Sequence, residues 1–172
     1  MDRIEALKSA LRERILVIDG ATGSEIQALG LGEEDWRGSQ FQDHSRSLAG
    51  NCDVLCLTRP DDVRRLHRSY LDSGADLITT NTFNAQAISQ ADYGLQHVIV
   101  EMNRAAASLA RQEADRATAL DPERPRWVLG SMGPTNRTAS LSPDVENPAL
   151  RSVTFDQLEA AYREQALSLI HI

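Results

Sequence analysis

Three short apolar runs, Ile15-Leu16-Val17-Ile18, Leu77-Ile78-Thr79-Thr80 and Trp127-Val128-Leu129, are separated by long stretches with helical spacing. None of the three alternates polar with apolar residues as a half-exposed strand would, so each reads as a strand buried on both faces. The order strand, helix, strand, helix, strand, helix is a βαβ pattern. It predicts an α/β fold in which parallel neighbours are joined by right-handed crossovers and the helices lie outside.

The stretches between are legible in the same way. Thr22 to Leu29 is predicted as a short helix, with Thr22 as N-cap and Glu25 as its capping-box partner. Gly30 to Gly50 is too long for a plain connector and reads as a packed loop anchored by Trp36 and Phe41. Pro60 with Asp61 and Asp62 opens a helix whose Val63, Leu66, Tyr70 and Leu71 share a face, and Gly74 closes it. His67 borders that face and reads as a core-edge histidine. Ala85 to Tyr93 is a short helix stopped by Gly94. A longer one, from about Leu95 to Ala119, has Leu95, Val98, Ile99, Met102, Ala106 and Leu109 on one side and an alanine-rich stripe suited to a sheet. A second long loop spans Gly130 to Val153. The last helix has Thr154 as N-cap and Gln157 as its partner, with Phe155, Leu158, Tyr162, Ala166 and Leu169 as the expected buried face.

The formal net charge of −7 argues against nucleic acid or an anionic membrane as partner. No apolar run approaches the ~20 residues of a membrane span, and Met1 to Arg14 alternates charge where a signal peptide would be apolar. Two cysteines, Cys52 and Cys56, make no disulfide framework, which fits a reducing cytoplasm. They lie in Cys52-Asp53-Val54-Leu55-Cys56-Leu57, which reads as an apolar strand or extended segment, and are expected to be small buried thiols. Asp19-Gly20-Ala21-Thr22-Gly23 lacks the spacing of either nucleotide-binding glycine motif.

Each strand ends in a polar or glycine-rich segment: Asp19 to Gly23, Asn81-Thr82-Phe83-Asn84, and Gly130 to Asn136. Parallel strands place all three on one edge, where α/β folds bind ligands. One carboxylate with amides, hydroxyls and exposed backbone N–H groups suits a small zwitterion. Asp19 would take the ammonium and the donors the carboxylate. The plainer reading makes Asp19 a turn residue and the Asn and Thr residues caps.

Five blocks carry a resemblance to a known family: Val17 to Gly23; Asp35-Trp36-Arg37-Gly38; Asn51 to Leu55; Gly74-Ala75-Asp76 with Thr80 to Asn84; and Gly133 to Ser140 with Ser142-Pro143-Asp144-Val145. From about Arg14 to Leu167 the chain resembles the N-terminal homocysteine-binding domain of the cobalamin-dependent methionine synthases. The Asp-Gly and Thr-Asn-Thr-Phe elements are shared with other homocysteine S-methyltransferases. The Asp-aromatic-Arg-Gly loop and the Gly-Pro-Thr-Asn-Arg-Thr run point to the cobalamin-dependent branch.

This resemblance implies a (β/α)₈ TIM barrel, with residues 1–172 supplying roughly its first three βα units. It implies homocysteine as substrate, with its thiol activated by a zinc ion on cysteine ligands. Methylcobalamin would be the methyl donor, recharged from 5-methyltetrahydrofolate, with pterin- and cobalamin-binding domains as partners. Asp19 and Gly20 would lie at the amino-acid group of homocysteine, Asn81, Thr82 and Asn84 would line the same pocket, and Gly133 with Pro134 would shape the third loop. The family's zinc cysteines belong to the later half of the barrel, and nothing in this sequence matches them. The chain therefore reads as a truncated N-terminal portion, inactive alone, whose final residues from Ser168 to Ile172 depart from the family. The alternatives are a non-catalytic partial-barrel binding protein and a homocysteine methyltransferase using a small donor such as betaine.

Overall fold

A computed structural model describes residues 2–170; the end of the terminal segment at 171 and 172 lies outside the described residues. The architecture is mixed α/β and helix-rich. Helix α1 (Arg3–Glu13) buries nothing and leads into an extended segment through Asp19. There Ile18 makes a single parallel bridge to Leu77. The Val17 carbonyl accepts the Asp76 and Leu77 N–H groups, and Asp19 N–H donates to the Leu77 carbonyl at 2.9 Å. This corrects the expectation of a strand buried on both faces. Ile15 is 90% exposed and Val17 and Ile18 about half exposed, because only one side of the segment finds a partner among the described residues.

Helix α2 (Thr22–Ala28) begins one residue earlier than expected: Ala21 occupies the N-cap position and Thr22 makes no capping bond. Glu25 still favours this first turn through the helix dipole. Helix α3 (Glu33–Arg37) stands in the first long loop, which is packed as predicted, with Trp36, Phe41 and Leu48 buried. Glu33 pins that loop by accepting hydrogen bonds from Ser47 Oγ at 2.6 Å, Leu48 N–H at 2.9 Å and Ala49 N–H at 3.1 Å.

The segment after Asn51 is not extended. It is a 3₁₀ turn (Cys52–Val54) running into helix α4 (Leu55–Thr58), and the Asn51 side chain caps it by accepting the Val54 N–H. A short, mostly apolar run has no period by which to separate a buried helix from a buried strand, and the cap decides it. Helix α5 (Pro60–Asp72) has its proline at the first turn and buries Val63, Leu66 and Leu71. His67 is fully buried, not at the core edge. Gly74 ends the turn after α5 at a φ of 101°, a conformation other residues adopt at a cost.

Strand β1 (Leu77–Thr79) follows, then helix α6 (Ala87–Gln90), shorter than expected because the Gln86 side chain caps it from inside the predicted span. A 3₁₀ turn (Gln96–Val98) leads into helix α7 (Ile99–Leu120). Strand β2 (Trp127–Leu129) pairs with β1 in parallel, Ile78 opposite Val128. Helix α8 (Phe155–Leu169) carries the predicted reciprocal cap between Thr154 and Gln157. Its buried stripe is rotated from the expected one. Ala161, Gln165, Ser168 and Leu169 face inward while Phe155 is 73% exposed. Gln165 donates to the Thr82 carbonyl at 2.7 Å, so a polar contact to the loop after β1 sets the rotation.

Two apolar clusters hold these elements. Under the sheet, Ile78 and Val128 meet Ala110, Ala114, Leu71 and Ala75, which is the close approach the alanine stripe foretells. A larger cluster joins the first long loop to α4, α5 and α7 through Trp36, Leu48, Leu55, Val63, Met102 and Leu109. No helix of the described residues is long and apolar enough to cross a membrane.

Candidate functional site

The loops that follow β1 and β2 are laced together by hydroxyl groups. Thr82 Oγ1 donates to the Ser131 carbonyl at 2.8 Å. Its proton being spent there, the Thr80 hydroxyl donates to Thr82 Oγ1 at 2.6 Å and accepts the Ser131 N–H at 2.9 Å. The 3₁₀ turn at Cys52 closes against the same loop. Asn81 Nδ2 donates to the Cys52 carbonyl at 2.7 Å, and Asn84 N–H to Asp53 Oδ1 at 2.9 Å. These contacts enclose a cavity of about 380 Å³, lined by Gly20, Gly23, Cys52, Asp53, Asn81, Thr82 and Asn84 among others. That volume suits a small molecule. A larger groove of about 570 Å³ lies between α6 and α8, but alanines, Ile88 and Val153 line much of it and none of the strand-end residues just named borders it.

Four sequence-predicted residues, Gly20, Asn81, Thr82 and Asn84, therefore meet in one cavity at the C-terminal ends of the parallel strands. Asp19 does not line it. Its carboxylate is turned onto β1, accepting the Thr79 N–H at 2.8 Å and the Thr79 hydroxyl at 3.1 Å. Burial raises the Asp19 carboxyl and the two Thr79 bonds pull the other way, with burial prevailing.

Gly133 lies behind the wall. Its N–H donates to the Phe83 carbonyl at 2.9 Å, its carbonyl accepts from the Tyr162 hydroxyl at 3.1 Å, and a Cβ at this position would stand 2.5 Å from the Phe83 ring. Phe83 itself lines the cavity and is half exposed. Gly133→Ala is expected to displace that ring and reshape the cavity at a stability cost of about 2 kcal/mol, the middle of the overpacking range, because the clash extends back to Phe83 Cγ at 2.7 Å. Unchanged chemical shifts at Phe83 and Asn84 in the variant would count against this.

Sequence reasoning missed Asp53. It is 3% exposed, and burial pushes its carboxyl up to about 6, the Asn84 N–H lowering it only in part. The signal was present: a carboxylate inside an apolar run has to be buried for a reason. Cys56 is buried and Cys52 half-buried, and both thiols are raised by burial and by the Asp53 charge, which disfavours thiolates. No group of three His, Cys, Asp or Glu side chains able to hold a metal occurs among the described residues. The donors present here do not fit a zinc ion.

A family model for homocysteine S-methyltransferase matches residues 16–171. Among solved structures, the oxidized form of the homocysteine methyltransferase MmuM from Escherichia coli is 21% identical with a TM-score of 0.68, covering 95% of this chain and 52% of that one. The metallated form of the same protein gives 22% identity and a TM-score of 0.67, covering 95% and 53%. At such identity the likeness is one of fold, and the chain spans about half the length of these proteins.

Proposed function

The chain belongs to the homocysteine S-methyltransferase family, and from that membership we propose that residues 1–172 are the N-terminal portion of a homocysteine-binding (β/α)₈ barrel. The enzyme would transfer a methyl group to homocysteine and yield methionine. The observation that carries this reading is the amino-acid-sized cavity at the strand ends. Gly20, Asn81, Thr82 and Asn84 would meet the amino-acid end of homocysteine there. Asp19 would act from the rim through Thr79, and Gly133 would set the position of Phe83.

The branch is assigned to the cobalamin-dependent methionine synthases, with methylcobalamin as donor and pterin- and cobalamin-binding domains as partners in the cytoplasm. Two motifs support it, Asp35-Trp36-Arg37-Gly38 and Gly133 to Thr138. Both have organised structure. The Arg37 guanidinium gathers the carbonyls of Gln42, His44 and Arg46, and Arg137 pairs with Asp92 at 2.6 Å. Thiol activation is placed on no residue of this chain, since its cysteines do not fit the zinc that the family implies.

Titration of the isotope-labelled chain with homocysteine should give weak, saturable shifts centred on the amides of Gly20, Asn81 and Asn84. Shifts confined to the α6–α8 groove, or none at all, would overturn the reading. In the complete protein, turnover with methylcobalamin and none with betaine is the expected outcome for the branch.

A further inference from the structure

The long loop between β2 and α8 is anchored at both ends and held by little between them. At its start the Arg137 guanidinium pairs with Asp92 at 2.6 Å and donates to the Ile88 carbonyl at 3.0 Å, which pins it to α6. At its end Val153 is buried and Thr154 caps α8. No residue from Thr138 to Ser152 is buried, and every hydrogen bond this stretch makes among the described residues stays within it. Its Leu141, Val145 and Leu150 are exposed, Val145 at 92%. The residues at both anchors, Arg137, Ser152 and Val153, line the groove of about 570 Å³ between α6 and α8, so the stretch runs from one rim of that groove to the other. The groove is deep because its walls are small: Ala87 and Ala91 on one side, Ala160 and Ala161 on the other. Both walls also reach the loop after β1. Gln90 of α6 donates to the Asn84 carbonyl at 3.2 Å, and Gln165 of α8 to the Thr82 carbonyl.

We propose that residues 138–152 are a strap that closes over the α6–α8 groove, seating Leu141 and Val145 among its alanines, and so braces the two helices that hold the loop after β1. The inference does not depend on which ligand the strand-end cavity takes. Closure takes aliphatic side chains out of water and fills a trough that alanines leave empty. It costs the conformational freedom of the strap. That cost is reduced because both ends already sit on the rim, and because Pro143 and Pro148 restrict the open strap. With gain and cost of similar size, the strap opens and closes, and the brace on the Thr82 to Asn84 loop comes and goes with it.

Trypsin cleavage after Arg151, inside the strap, reports the open population when opening and closing outrun cleavage. The double variant Leu141→Asp, Val145→Asp removes the side chains that would seat, at positions already exposed, and should be cut there roughly tenfold faster than wild type. Ala160→Phe fills the groove from α8 and should speed the same cut with the strap sequence untouched. Equal cleavage rates in wild type and both variants overturn the proposal. A second measurement needs no variant. In the wild-type chain with labelled Ala, Leu and Val methyls, nuclear Overhauser contacts should join Leu141 and Val145 to Ala91 and Ala160. Their absence overturns the proposal even if a variant fails to fold. The brace has its own readout: the Asn84 N–H should exchange with solvent faster in the double variant. Exchange at the wild-type rate there overturns the brace.

Discussion

Asp76→Ala is expected to destabilise the chain by about 3 kcal/mol or more, the loss seen when one partner of a buried ion pair is removed. Asp76 is fully buried. Its oxygens accept from both Arg14 Nη atoms at 2.9 and 3.0 Å, from Arg124 Nε at 2.8 Å and from Val17 N–H at 2.9 Å. Burial alone would raise this carboxyl, but the Arg14, Arg124 and Val17 hydrogen bonds win and hold it well below the usual carboxylate range. Both arginine side chains are 37% exposed, so their charges would rehydrate in the variant, which keeps the cost near the lower end of the buried-pair range. The network has a further effect because of where it lies. It joins the segment before Ile18, the start of β1 and the loop before β2, tying together the N-terminal ends of three parallel segments. Urea unfolding of Asp76→Ala, Arg14→Ala and the double variant measures it. The double variant should be little worse than Asp76→Ala alone, since the Arg14 bond is already gone. A loss below about 1 kcal/mol would show that the segment before Ile18 is held by its β1 contacts alone.

What could be read from the sequence follows the physics of each signal. β1, β2, α5, α7 and the Thr154–Gln157 cap all rest on local patterns: apolar runs, helical spacing, a proline at a first turn, a Thr-x-x-Gln pair. They appear where those patterns place them, except that α7 starts at Ile99 rather than near Leu95, its expected first turn being 3₁₀. Errors arose where tertiary partners decide. Ile15 to Ile18 has the composition of a doubly covered strand, but composition records what a segment needs and not what lies beside it. The turn at Cys52 is set by a side-chain cap from Asn51, and the rotation of α8 by Gln165 reaching Thr82, contacts between residues far apart in sequence or hidden in an apolar run.

The site divides in the same way. Gly20, Asn81, Thr82 and Asn84 were legible because parallel strands must send their following loops to one edge. The ordering of Asp19 against Thr79 was not, because a turn carboxylate beside a strand end can face the cavity or the backbone with equal ease. Asp53 was hidden by a mistaken segment. In an extended strand it would have pointed away from the Asn81 loop or into the sheet, and only the 3₁₀ turn brings it to the cavity wall.

His67→Leu is expected to gain stability over the wild-type chain by about 3 kcal/mol as the pH falls from near 6.5 to near 4. Both ring nitrogens of His67 are buried with no hydrogen-bond partner among the described residues. Burial lowers its pKa from 6.5 to about 4, the charge of Glu113 opposing. The sign follows from proton counting. Between those values the unfolded chain binds a proton that the folded chain refuses, so stability falls as pH falls. Asp53 has the opposite sign. Its folded value near 6 lies above the ordinary 3.8, so the folded chain binds the extra proton and gains stability over much of the same range. The two groups offset one another in the wild-type chain, whose own pH profile therefore hides both. Differences between variants expose them. Asp53→Asn should be more stable than wild type by about 3 kcal/mol at neutral pH, an advantage that vanishes near pH 4. His67→Leu should start level or slightly ahead, since replacing an unpartnered buried polar group by an apolar one of similar size is neutral or favourable. Its advantage should then grow as Asp53→Asn loses its own. Urea midpoints for the three proteins across this range decide the matter. Parallel curves for His67→Leu and wild type would mean that a water or a shifted neighbour satisfies the imidazole, and that the acid sensitivity of this core has another source.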